Sequence, residues 1–454
     1  MANTCDRRSF LQLGAGLGAG LAAASASAYA AAPAALPPVD PVRIGFVGVG
    51  HKGSNHVKHL LRMEGVELRA VCDINEEAAL KAQFETEKVG KPRPTSYTRG
   101  DTDFKRMCET EDLDLVFTAT PWEWHVPVCI AAMENGKHVA TEVPAAIEME
   151  QCWQLVETSE KTGRYCVMLE NVNYMEPEMM ILNMVRKSLL GEVLHGEAGY
   201  MHDTRQLKMN DFGDGLWLGN HHAMRNGNLY PTHGLGPMAW YMDINRGDRF
   251  DYLVSMSTKA RGLDLYAEEH LPPEHPKRQR RYINGDVNAS LIRTVNGRTI
   301  ILKHDTDLPR PYSRTNLVQG TRGIVRGYPD LRLHLEAEHE KNHWEPGEAY
   351  LTKYEHPLWK DSRERAKSMS SLIANDKYCL ANELRNGEYL EDYRLVEAIR
   401  KGVKPDFDVY DAASWSAVTV LSEWSVANRS RPVDFPDFTR GKWQTNPPVS
   451  IMGV

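Results

Sequence analysis

The chain has 454 residues, a formal net charge of −7 and 25% charged residues. No long basic run is present, so neither nucleic acid nor an anionic membrane surface is an expected partner. The length calls for two or more domains, each able to bury its own core.

In chain order, Asp6-Arg7-Arg8-Ser9-Phe10-Leu11 comes first, then an apolar run rich in Leu, Gly and Ala that ends at Ala28-Tyr29-Ala30. This resembles a bacterial twin-arginine export signal with cleavage near Ala30. Residues 31–41 read as a Pro/Ala tether. The expected destination is the periplasm. The twin-arginine route carries folded proteins, which suits a chain that loads a cofactor in the cytoplasm and keeps it. Nothing after the signal is apolar over the length of a membrane span. Beyond Cys5, the cysteines are Cys72, Cys108, Cys129, Cys152, Cys166 and Cys379. They form no C-x-x-C pair, and several fall in apolar patterns, so buried free thiols are expected.

Strands are predicted at 42–48, 66–72, 113–119, 138–142 and 165–170, and helices at 54–63, 76–88, 126–135 and 149–162. Gly136 and Gly163 stand at helix ends. The alternation implies a doubly wound parallel sheet over 42–170. Between the first strand and first helix lies Gly48-Val49-Gly50-His51-Lys52-Gly53, a G-x-G-x-x-G turn in its required context. Asp73, at the end of the second strand, is placed to accept hydrogen bonds from a ribose 2′-hydroxyl and to repel a 2′-phosphate. No arginine follows it immediately (Ile74, Asn75), so the expected cofactor is NAD.

Ligands on such sheets lie beyond the strand carboxyl ends. There the sequence places Thr120-Pro121-Trp122-Glu123-Trp124-His125, Thr141-Glu142-Val143-Pro144 and Glu170-Asn171-Val172-Asn173-Tyr174. Glu142 is placed to reach the nicotinamide ribose. For the tryptophans, packing at a domain interface competes with cofactor contact. For His125, a structural role competes with chemistry.

From about Gly191 the pattern changes to an α+β domain on a mostly antiparallel sheet, with strands near 193–200, 252–257, 287–295 and 298–304. Asn296-Gly297 is a hairpin turn between the last two. The intervening segments, predicted as loops, are dense in His, Tyr, Asn and Arg: His221, His222, Arg225, Asn226, Tyr230-Pro231-Thr232-His233, His304-Asp305-Thr306 and Arg310-Pro311-Tyr312-Ser313. Such groups suit a polyhydroxylated substrate. His221, His222 and His233 raise the question of a metal, but no fixed ligand spacing supports one. No distinctive acid pair of a two-carboxylate glycosidase stands out either.

The segments Ala119–Pro127, Ala140–Ala146, Asn228–Gly234, His304–Thr306, Arg310–Ser313 and Pro432–Trp443 together resemble the glucose–fructose oxidoreductase / inositol dehydrogenase superfamily. Within it they resemble glycoside hydrolase family 109, the NAD-dependent α-N-acetylgalactosaminidases. The resemblance spans nearly the whole mature chain. Superfamily dehydrogenases usually carry E-K-P where this chain has Glu142-Val143-Pro144, and many carry an acid where it has Leu229, four residues before His233. Those two departures argue against simple net oxidation.

The resemblance implies cofactor contacts at Gly48, Gly50, His51, Lys52, Gly53, Asp73, Trp122, Glu123, Trp124, His125, Glu142, Val143 and Asn171. It implies substrate contacts at Tyr200, Tyr230, Pro231, Thr232, His233 and Tyr312, with His233 as base and Tyr230 and Tyr312 as hydrogen-bond donors or proton relays. The reaction it implies is glycoside hydrolysis through transient C3 oxidation, C2 deprotonation with elimination, water addition and re-reduction. Tightly bound NAD would then be recycled in each turnover. The alternatives are a sugar dehydrogenase or sugar–sugar oxidoreductase, and a non-catalytic NAD- and sugar-sensing protein. The expected partner is a glycoside or oligosaccharide, and the open face of the second sheet suits a homodimer.

Overall fold

A computed structural model describes residues 37–340, 342–362 and 386–451. The twin-arginine segment, residues 31–36 of the tether, Cys5 and Cys379 lie outside the described residues. In the first half, strands and helices alternate as β1 (Val42–Val47), α1 (His51–Leu61), β2 (Val66–Cys72), α2 (Glu76–Lys88), β3 (Thr95–Tyr97), α3 (Asp103–Thr110), β4 (Leu115–Thr118), α4 (Trp122–Glu134), β5 (His138–Thr141), α5 (Met149–Thr162) and β6 (Cys166–Met168). The six strands form a parallel sheet in the order β3-β2-β1-β4-β5-β6. Every position of β4 and β5 is buried, as expected for strands covered by helices on both faces. The order reverses between β1 and β4, and the crevice at their carboxyl ends is where a doubly wound sheet takes its ligand.

Two helices start earlier than expected. α1 begins at His51, inside the glycine turn, and α4 begins at Trp122. The first-turn N–H groups of a helix need no intrahelical partner, so residues that read as loop fold as first turns. β3 and α3 fall where nothing was expected; β3 has three residues, two of them exposed, and leaves no alternation to detect. Cys72, Cys108, Cys129, Cys152 and Cys166 are buried free thiols.

The second half contains α6 (Glu176–Arg186), β7 (Val193–Met201), α7 (Arg205–Met209), α8 (Leu218–Met224), α9 (Thr232–Tyr241), β8 (Phe250–Ser257), α10 (Gly262–His270), α11 (Pro276–Gln279), β9 (Asn288–Thr294), β10 (Thr299–Asp305), β11 (Leu317–Gly320), β12 (Gly323–Arg326), β13 (Arg332–Leu335), β14 (Glu345–Pro346), α12 (Glu348–Lys353), α13 (Glu388–Lys401), α14 (Val409–Ala427) and β15 (Val433–Asp434). Its sheet runs β14-β13-β12-β11-β7-β10-β9-β8-β15, antiparallel at each step except β7–β10. Gly297, at φ 86°, turns the β9–β10 hairpin. Buried and exposed residues alternate strictly along β9, so one face of the sheet is covered and the other is open.

His221 and His222 lie in α8, and Thr232, His233 and Gly234 open α9; these positions were expected in loops. Gly234, Gly236 and Pro237 are accommodated within α9. Pro237 has no N–H, so the His233 carbonyl lacks its helical donor. Close approach explains the glycines. A Cβ on Gly234 would lie 2.4 Å from the Gly199 nitrogen of β7, and one on Gly236 would lie 2.4 Å from Asn173 Oδ1 and 2.9 Å from Glu170 Cγ. These glycines let α9 close onto the second sheet on one side and onto the end of β6 on the other. The N-terminal unit is completed from far along the chain: α13 packs on α1, and α14 packs on α5 and β6.

Candidate active site

The dinucleotide turn has the geometry its sequence requires. Gly48 sits at φ +78°, and a Cβ on Gly53 would lie 1.9 Å from the Gly48 carbonyl oxygen, so only glycine lets α1 pack on β1. A Cβ on Gly50 would point into open space. α1 has no side-chain cap and no acid in its first turn, which leaves its N-terminal N–H groups available to a phosphate. Asp73 accepts from Val49 N at 2.9 Å and from Asn75 N at 2.8 Å, fixing its carboxylate beside the turn. The residues present fit NAD.

Behind the turn lies a charged chain. His56 donates Nε2–H to Glu142 Oε1 and Nδ1–H to Asp392, each at 2.9 Å, and His59 Nδ1 lies 2.8 Å from Asp392. Lys52 Nζ bonds Glu388 at 2.5 Å and lies 3.5 Å from Glu142. Burial opposes the charge of His56, but Asp392 and Glu142 outweigh it and the imidazole is pushed up to about 10. Burial likewise opposes ionisation of Glu142, yet Lys52 and His56 hold its carboxyl well below the usual range. Glu142 is thus a fixed anion, with its second oxygen accepting from Val143 N at 3.1 Å.

A cavity of about 270 Å³ opens in front of this chain. His51, Lys52, Trp122, His125, Glu142 and Val143 line it from the cofactor domain, and Tyr200, Tyr230 and His233 from the second domain. The rings interlock: Tyr200 lies 4.6 Å from Tyr230 and 5.3 Å from His233, and Tyr230 lies 4.9 Å from His233 and 5.9 Å from Trp122. The Tyr200 hydroxyl hydrogen-bonds His202 Nδ1 at 2.9 Å.

His233 is held by a residue that sequence reasoning placed at the cofactor edge without a role. Its Nδ1 lies 2.6 Å from Oε1 of Glu170, whose side chain is fully buried. A carboxylate only accepts, so Nδ1 carries the hydrogen, and in the neutral imidazole Nε2 is left as the basic nitrogen. The acid expected four residues earlier is replaced by Leu229, packed with Trp122 and Ile147; the carboxylate comes instead from the end of β6. The position of Glu170 just beyond a parallel strand is the signal that could have found it.

Other residues expected at the site also have partners within the protein. His125 faces the cavity, but its ring nitrogens lie 2.8 Å from the Pro144 carbonyl and 2.9 Å from that of Thr120, so it braces two strand ends. Trp124 packs at 6.1 Å on Phe104, and Glu123 points to His221 Nε2 at 3.7 Å. The Asn171 amide bonds the Asn386 carbonyl at 2.6 Å. Pro231 and Thr232 form the start of α9 rather than the cavity wall, and Thr232 is buried. Tyr312 stands behind Tyr200 at 6.1 Å, 39% exposed, its hydroxyl accepting from Arg314 at 3.3 Å. The three histidines considered for a metal turn to different carboxylates: His221 to Glu123, His222 to Asp307 and His233 to Glu170.

Residues 42–170 match the oxidoreductase family with an NAD-binding Rossmann fold, and residues 174–445 match the glycosyl hydrolase 109 C-terminal domain. A glycosyl hydrolase family 109 protein of Shewanella sp. (strain W3-18-1) is 47% identical over 92% of this chain and 89% of its own length. The chain belongs to glycosyl hydrolase family 109. A second family 109 relative, from Shewanella oneidensis and named an alpha-N-acetylgalactosaminidase, is 46% identical over 92% of this chain and 89% of its own length. Levoglucosan dehydrogenase in complex with NADH and levoglucosan shares the fold, with a TM-score of 0.63 at 18% identity over 87% of this chain and all of that one. Family 109 membership and the Rossmann domain make this an NAD-dependent glycosidase.

Proposed function

We propose that the chain hydrolyses terminal α-N-acetylgalactosamine, or a closely related sugar, by a route in which C3 is a ketone for part of each turnover. The observation that carries this reading is the Glu170–His233 pair, a carboxylate-held imidazole lining the same cavity as His51 and Lys52 of the dinucleotide turn. The sugar itself is suggested by the Shewanella oneidensis relative.

Bound NAD would lie against Gly50, Asp73, Glu142 and Val143 and supply a hydride acceptor and donor for one sugar carbon. The chain's own residues then have distinct tasks. His233 Nε2 takes a proton, first from the C3 hydroxyl or then from C2, where an adjacent ketone makes the C–H acidic. The electron pair left at C2 expels the aglycone from C1, and water adds to C1 as C2 regains a proton. Glu170 stabilises the imidazolium formed at His233. Tyr230 and Tyr200 present hydroxyls to the sugar, and Tyr312 supports Tyr200 from behind. Lys52, fixed by Glu142 and Glu388, keeps a positive charge on the cavity wall, where it would stabilise negative charge developing on a sugar oxygen. The net reaction is hydrolysis, so the cofactor need never leave.

A cofactor that stays bound agrees with the twin-arginine segment, and we place the working protein in the periplasm; Arg7→Lys with Arg8→Lys would then hold it in the cytoplasm. The open face of the second sheet exposes Met256 at 66% and Leu291 at 45%, which suits a second copy of the chain. A panel of nitrophenyl glycosides followed together with absorbance at 340 nm tests the function. Release of nitrophenol without accumulation of NADH supports it. Steady NADH accumulation with added NAD would favour a sugar dehydrogenase, and binding without turnover a sensing protein.

A further inference from the structure

The cavity has a second polar cluster, built wholly from the second domain. Asp307, two residues past β10, lies with one carboxylate oxygen 2.9 Å from His222 Nδ1 and with the other against Lys208 Nζ. Lys208 also donates to Thr306 Oγ1 at 2.7 Å and to the Thr306 carbonyl at 3.0 Å. The side chains of Lys208 and Asp307 are 1% exposed and that of His222 is 2% exposed. An ion pair removed from water to this degree is costly unless each partner is satisfied, and here the satisfied pair serves to fix a histidine at the cavity wall.

His222 meets Asp307 through Nδ1 at 2.9 Å, and the Asn284 amide nitrogen stands 3.3 Å from the same atom. No hydrogen bond engages Nε2 among the described residues. Burial lowers the His222 imidazole, and burial with His222 as neighbour pushes His304 down to about 3. The ring is therefore neutral, with its hydrogen on Nδ1 toward Asp307 and a lone pair on Nε2.

The cluster also has a definite place in the cavity. Tyr200 on β7 pairs across the sheet with His304 on β10, and the His304 ring lies 6.0 Å from that of His222. Tyr200 in turn lies 5.3 Å from His233. A row of rings thus leads from His233, on the seam with the cofactor domain, to His222, whose supports all belong to the second domain. The reacting carbons must lie at the nicotinamide and His233. A C1 substituent directed along this row would reach His222.

We infer that His222, fixed by Lys208 and Asp307, is a specificity-determining residue whose Nε2 accepts a hydrogen bond from a hydroxyl of the aglycone, so that the enzyme is built for a glycan rather than an aryl or alkyl leaving group. This inference rests on the glycosidase reading above and names the substrate's second half. A buried acceptor that loses its partner discriminates against substrates lacking the donor.

The test compares kcat/KM for an α-linked disaccharide and for the nitrophenyl glycoside of the same terminal sugar, in the wild type, His222→Leu and His222→Gln. The ratio of disaccharide to aryl glycoside is expected to fall about tenfold in His222→Leu, equivalent to about 1.4 kcal/mol, and to recover in part in His222→Gln, whose amide oxygen accepts. An unchanged ratio, or equal loss on both substrates, overturns the subsite. No turnover of either glycoside by the wild type would instead contradict the glycosidase reading, and the aglycone subsite with it.

Discussion

Replacing Glu170 by Gln keeps the size of the side chain and an oxygen that can accept from His233 Nδ1, but removes the charge. The 2.6 Å contact between a fully buried carboxylate and an imidazole is a charge-assisted hydrogen bond, worth about 1.5–3 kcal/mol. The imidazolium forms only as His233 takes its proton, so the loss falls on the transition state rather than on substrate binding. At 1.36 kcal/mol per tenfold, kcat is expected to fall about 10- to 150-fold while KM moves less than about threefold. Steady-state kinetics on the nitrophenyl glycoside, with dinucleotide content and thermal midpoint measured on the same preparation, give the answer. Bound dinucleotide should match the wild type, because Glu170 touches neither the turn nor Asp73, and the thermal midpoint should fall by a few degrees at most. A kcat within twofold of wild type would refute the role of Glu170. Equal losses in kcat, bound dinucleotide and thermal midpoint would show that it only holds the fold.

Gly53→Ala would set a methyl 1.9 Å from the Gly48 carbonyl oxygen, a backbone contact that cannot yield; overpacking of this kind costs about 1–3 kcal/mol. The variant should purify with little or no dinucleotide and unfold at a lower temperature, and full retention of both would contradict the packing of α1 on β1. The buried His56 gives a pH signature. Its folded value of about 10 lies above the ordinary histidine value, so its contribution to stability is fully present below about pH 6.5 and is lost as pH rises toward 10. Thermal midpoints taken from pH 7 to 10 should fall in the wild type and fall less steeply in His56→Gln. Equal slopes would mean that His56 is not the buried cation between Glu142 and Asp392.

Much of the fold was legible because its signals are local. The G-x-G-x-x-G turn, the apolar strands β1 and β2 and the Asn296-Gly297 hairpin each carry their pattern within a few residues. The starts of α1 and α4 were not legible, because Gly53 falls in the first turn of α1, Pro121 immediately precedes α4, and neither helix has a side-chain cap. Strands β11 to β15 have two to four residues each and are held by their neighbours rather than by alternation. In the site, single residues such as Asp73, Glu142, Tyr200 and His233 could be singled out from strand ends and from the family resemblance. Their pairings could not. Glu170 meets His233 across 63 positions and His56 meets Asp392 across 336, and no local period encodes such contacts. The departures at Val143 and Leu229 were visible, but sequence alone did not show that Glu170 supplies the missing carboxylate or that Glu142 and Glu388 hold Lys52.

The central claim is that His233 removes the C2 proton of a sugar that is briefly a ketone. Hydrolysis in D₂O, with the released sugar examined by NMR and mass spectrometry, tests it most directly. The account predicts one deuterium at C2 in each molecule released by the wild type, and no release of sugar by His233→Ala that still carries its dinucleotide. Sugar released by the wild type with its original hydrogen at C2 would contradict the account.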